Sequence, residues 1–84
     1  MFQFIATDAT GYTTVQDTYA QDAEFAISEF KTFINDEYLV TSEENPGPHA
    51  DHPLGTVIAE YEVTTRNDDD GTDTATWQIV EVDA

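Results

Sequence analysis

Three short runs of this sequence carry residue types that can do chemistry. His49-Ala50-Asp51-His52 sets two imidazoles three positions apart with a carboxylate between them, donors of the kind that ligate a transition metal. Asp68-Asp69-Asp70-Gly71-Thr72-Asp73 gathers four carboxylates around a glycine, the composition of a hard-cation site or of a tight turn. Glu60 and Glu62 alternate with apolar neighbours, so in an extended chain they share one face about 6.6 Å apart. Their ladder leads on into Asp68, Asp69, Asp70 and Asp73. Duplex DNA carries one charge per roughly 1.7 Å of axis with both strands counted, and carboxylates in a row at strand spacing imitate part of that backbone.

The first two runs fail as specific metal motifs. His49 to His52 resembles the end of the His-x-His-x-Asp-His motif of metallo-β-lactamase-fold hydrolases, but the first histidine is missing and 84 residues cannot build that fold. A polar, Pro-rich loop explains the run, with adventitious Zn²⁺ or Ni²⁺ as its most specific chemistry. Counting Gly71 as the sixth position of an EF-hand calcium loop puts Arg66 first and Trp77 twelfth, where Asp and Glu are required. A hairpin turn accounts for the same residues. No Gly-rich phosphate loop or supported Ser/His/Asp set is present, and eighteen carboxylates make any chosen acid–base pair uninformative. The expectation is a non-enzymatic protein that calls for neither metal nor cofactor.

What remains is charge. Eighteen acidic residues face two basic ones, Lys31 and Arg66, for a net charge of −16 on 84 residues. Self-repulsion on that scale works against a folded state and is offset by salt, a bound cation or a basic partner. With a pI near 4.1, direct contact with nucleic acid or an anionic membrane is disfavoured, and the natural partner is cationic. Added salt is therefore expected to raise the melting temperature, read in thermal melts from about 0.01 M to about 2 M KCl as the Debye length shrinks. A melting point indifferent to salt overturns this expectation.

Cysteine is absent, which removes disulfides, thiolate metal sites and thiol nucleophiles. The first residues lack a basic segment and a long apolar run, so no signal peptide is expected and the reading is cytoplasmic. No stretch approaches the roughly 20 apolar residues that span a bilayer.

The elements that must position these residues follow from periodicity. Residues 2–6 and 12–18 read as two strands of an antiparallel hairpin, turned at Asp8 to Gly11. Ala23, Ala26, Ile27, Phe30 and Ile34 form one stripe of helical period, which Phe33 widens. Its N-cap is Asp22, or alternatively Thr18 paired with Gln21. Residues 37–41 form a brief optional strand, and 42–53, with all three prolines, read as loop. Residues 56–65 and 74–82 form a second hairpin around Asp70-Gly71, with Val57, Ala59, Tyr61 and Val63 facing Ala75, Trp77 and Ile79. Val80 and Val82 fall on the other face, which points to a bulge near Ile79–Val80 or to a strand buried on both sides.

The predicted architecture is a single α+β domain, residues 1–84: a small antiparallel sheet of four to five strands with one amphipathic helix on one face, ordered β-β-α-(β)-β-β. Phe25, Phe30 and Ile34 would meet Phe4, Tyr61, Val63 and Trp77, leaving the other sheet face exposed and acidic. The functional expectation is an acidic binding protein that mimics nucleic acid and inhibits a basic DNA- or RNA-binding protein, as phage- or plasmid-type anti-defence and anti-CRISPR inhibitors do. Its contact residues would be Glu60, Glu62, Asp68, Asp69, Asp70 and Asp73, with Asp8 and Asp83 as charges near the chain ends that should matter less. The alternative is a small haloarchaeal domain whose acidity is an adaptation to concentrated salt: one lysine, ten aspartates and thirteen threonines suit it.

Overall fold

The computed structural model describes residues 1–18, 20–35 and 39–82, the last segment by backbone alone at 39 and 40. The elements are β1 (Phe2–Asp8), β2 (Thr13–Thr18), α1 (Ala23–Asn35), β3 (Leu39–Asn45), β4 (Gly55–Arg66) and β5 (Thr72–Val82). The strands form one antiparallel sheet in the order β2-β1-β5-β4-β3, and α1 packs on one face. This is the expected α+β arrangement with all five strands present.

Local chemistry explains most element ends. Gly11 takes φ +86° in the β1–β2 turn, a conformation that favours glycine. Asp22 is the N-cap: its Oδ1 accepts the Phe25 amide at 2.7 Å, and Glu24 lies in the positive first turn. Thr18 serves otherwise. Its hydroxyl donates to the Glu29 carboxylate and its Oγ1 accepts the Ala20 amide at 3.2 Å, pinning the end of β2 to the helix. In the β4–β5 turn the positive φ of 60° falls on Asp70, not on Gly71, while the Asn67 side-chain oxygen accepts the Asp69 and Gly71 amides at 3.0 Å each.

The helix-side core joins Phe2, Phe4, Ala26, Phe30, Ile34, Ala59, Tyr61, Val63 and Ile79. Phe30 is its hub, with ring centroids 5.3 Å from Phe4, 4.9 Å from Tyr61 and 5.8 Å from Trp77. Burial pushes the Tyr61 phenol above its ordinary range, and the nearby Glu44 charge adds to the shift. Phe25, expected here, is instead 59% exposed. It precedes Ala26 by one residue and so lies about 100° round the helix from the buried stripe. Phe33 takes the place, against Phe4 and Trp77. Trp77 is only half-buried.

Three further expectations are corrected. The segment from residue 42 is not all loop: Ser42 to Asn45 continue β3, paired from Ser42–Val63 to Asn45–Glu60. The start at residue 37 lies outside the described residues. Val57 does not face the helix, because a register shift between Val57 and Ala59 turns it to the other side against Val80. The bulge is thus in β4, opposite Ile79 and Val80, and β5 is buried on both sides there, the second of the two alternatives expected for it.

The second face is therefore not simply open. Ile5, Val57 and Val80 are buried there, with Val82 beside them. From the loop 46–54, His49 reaches Glu60 on that face at 3.4 Å, and an isolated bridge joins His52 to Gly55.

Candidate functional site

Strand alternation and register assign the carboxylates to faces. On the face away from α1, one row across the sheet reads Val15, Ile5, Gln78, Glu60, Asn45, and the next reads Thr13, Thr7, Thr76, Glu62, Glu43. Thr64 and Thr74 continue the pattern, their hydroxyls 3.0 Å apart. Glu60 and Glu62 thus share a face, as the alternation requires. The charge gathers toward the β3 edge, and the middle of the face is threonine and glutamine.

The two glutamates differ in their surroundings. Glu60 is half-buried and held by three neighbours: Asn45 Nδ2 donates to Oε2 at 3.4 Å, Gln78 Nε2 donates to Oε1 at 3.2 Å, and His49 Nδ1 lies 3.4 Å from Oε2. Both carboxylate oxygens are engaged, and Glu60 anchors the Pro-rich loop. His49 with Glu60 is the only contact between a basic and an acidic side chain among the described residues, and it is an ion pair when the imidazole is protonated. Glu62 is exposed and stands directly opposite Glu43, which is also exposed. Like charges facing each other across an antiparallel pair are destabilising. Spacing along a single strand could not reveal Glu43, because its place depends on the register of an edge strand.

Asp68, Asp69 and Asp70 are exposed at the tip of the β4–β5 hairpin. Asp73 does not join them. It shares β5 parity with Ala75 and Trp77 and so lies on the helix side, with Oδ2 accepting Asn67 Nδ2 at 3.3 Å. The expected set divides into three: Glu60 inside a polar network, Glu62 with the three tip aspartates toward solvent, and Asp73 behind the sheet.

The His-x-x-His run also separates. His49 engages Glu60, whereas His52 Nδ1 accepts the Leu54 amide at 3.1 Å in a local turn. Among the described residues no three His, Cys, Asp or Glu side chains converge as a metal site, and no helix is long and apolar enough to cross a membrane.

This geometry belongs to a small α+β domain with an acidic sheet edge. No family model, curated protein or solved structure matches the chain.

Proposed function

We propose that this protein is a non-enzymatic acidic binding protein that inhibits a basic nucleic-acid-binding protein by occupying its nucleic-acid site. The observation that carries this reading is the facing pair Glu43 and Glu62, both exposed and outside any ion pair among the described residues. Folding alone disfavours that arrangement. A cationic surface seated on the edge relieves it, and the tip aspartates extend the same negative field along the hairpin. Glu60 supports the edge from behind by fixing the loop.

The competing reading, acidity for concentrated salt, is favoured by carboxylates elsewhere: Asp22 and Glu24 are exposed at the start of the helix, which packs on the sheet face opposite Glu62. One experiment separates the two. Proteins retained from a lysate on the immobilised domain are challenged with excess duplex DNA, and those displaced are rebound to variants. Paired Glu43→Lys and Glu62→Lys are expected to weaken retention about tenfold or more, while paired Glu24→Lys and Asp51→Lys change it little. Equal small effects from both pairs, or retention that duplex DNA does not compete, overturn the mimicry reading and leave the salt-adaptation reading.

A further inference from the structure

A second feature lies behind the sheet. Thirteen residues of helix reach about 20 Å, whereas the twelve residues of β4 reach about 40 Å. The helix therefore cannot cover the long hairpin, and a cleft of about 340 Å³ is left beyond its last turn. Trp77 and Phe33 line it, ring centroids 5.6 Å apart at 70°. Tyr12, 70% exposed, joins them from the β1–β2 turn. Ala6 and Ala75 add only methyl groups between the rings and the strands that carry them.

Two carboxylates complete the lining, Asp8 and Asp73. Asp8 pairs with Ala75 across β1 and β5, and Asp73 lies two residues further along β5. Such diagonal neighbours sit about 7–8 Å apart, a gap that one planar cation with several donors can bridge. Among the described residues each is oriented by neutral donors. Asp8 Oδ1 accepts the Thr10 hydroxyl at 2.6 Å, the Thr10 amide at 2.9 Å and the Tyr12 amide at 3.0 Å. These bonds, the Thr10 hydroxyl first, hold the Asp8 carboxyl below its ordinary range. Among the described residues no cationic side chain pairs with either carboxylate, and each keeps one oxygen free of protein donors. The last turn of α1, at the negative end of its dipole, carries no basic residue.

We propose that this cleft receives an arginine side chain of a protein partner, its guanidinium against the Trp77, Phe33 and Tyr12 rings and forked between Asp8 and Asp73. Aromatic faces attract a cation, and arginine suits the site better than lysine because its guanidinium is planar, weakly hydrated and presents donors in a fork. The proposal rests on the reading that the partner is a cationic protein, but its test does not require that partner.

The probe is N-acetyl-arginine-methylamide, which has no terminal charges. Trp77 is the only tryptophan, so its emission reports on the cleft. Saturable change of that emission is expected, and N-acetyl-lysine-methylamide should bind more weakly. Asp73→Asn should weaken arginine binding about tenfold, the loss of one charge-assisted contact. Tyr12→Ala, a change at an exposed residue, should also weaken it, and Glu24→Gln should not. Amide NMR spectra of β4 and β5 confirm that each variant is folded. Absence of saturation, equal binding of the lysine probe, or equal losses from Glu24→Gln and Asp73→Asn overturn the proposal. Saturable arginine binding together with a partner that duplex DNA cannot displace removes the mimicry reading and leaves the arginine site standing.

Discussion

Replacing Phe30 with alanine is expected to unfold the protein at low ionic strength. Phe30 is 1% exposed and touches aromatic rings from three strands, Phe4 on β1, Trp77 on β5 and Tyr61 on β4. Truncating a buried phenylalanine costs roughly 3–5 kcal/mol through lost transfer energy and the cavity left behind. Domains of ordinary size hold about 5–15 kcal/mol in total, and one this small sits toward the low end of that range. The −16 net charge lowers the reserve further when salt is scarce. Loss of the near-ultraviolet circular dichroism signal and of a cooperative melt is the expected readout.

The same packing predicts an order among the aromatic residues. Trp77→Ala should cost less than Phe30→Ala, because Trp77 is half-buried and already borders a cleft. Phe25→Ala should lie near zero, since that ring is 59% exposed. A cooperative melt retained by Phe30→Ala, or a Phe25→Ala cost as large, would show that the helix packs through a different face.

Repetition along the chain made some of the fold legible and long-range register hid the rest. The stripe through Ala26, Phe30 and Ile34 repeats at the helical period, and the alternation Ala59, Tyr61, Val63 repeats at the strand period. Ser42 to Asn45 has neither apolar alternation nor β-branched residues. It is a strand because β4 supplies its hydrogen-bond partners, and its charges are what an exposed sheet edge tolerates. Val57 looked like one more inward residue until a bulge, set by pairing with β5, turned it over. For the candidate site, shared parity placed Glu60 and Glu62 together. The Glu43 facing Glu62 and the His49 pairing with Glu60 come from other segments, so no spacing on β4 announces them. The side that Asp73 takes was hidden for a related reason. Residues 67–71 form the turn, and resumption of the strand at Thr72 sets which side of the sheet each following residue takes.

Gly55→Ala is the second change expected to have a large effect, and its cause is likewise invisible along the chain. A Cβ on Gly55 would overlap the Glu81 carbonyl oxygen and lie 2.9 Å from its carbonyl carbon and 3.1 Å from Val82 Cα. All three are backbone atoms of the neighbouring strand, so no side-chain rotation relieves the clash. Either β4 starts later or β5 moves away. Gly55 also exchanges backbone hydrogen bonds with His52, at 3.0 and 3.1 Å, and these close the end of the loop that carries His49 to Glu60, two residues before Val57 of the second core cluster. The strain therefore falls on the second core cluster and on the His49–Glu60 contact together. Overpacking of this kind costs roughly 1–3 kcal/mol, and a purely backbone clash belongs at the upper end. Denaturant melts should show the loss of stability. Native-state hydrogen exchange should locate it, with the Gly55, His52 and Val82 amides losing protection before those of β1. Wild-type stability with protected Gly55 and Val82 amides would mean that β4 and β5 do not approach this closely, and the register from Gly55–Val82 to Val57–Val80 would have to be redrawn.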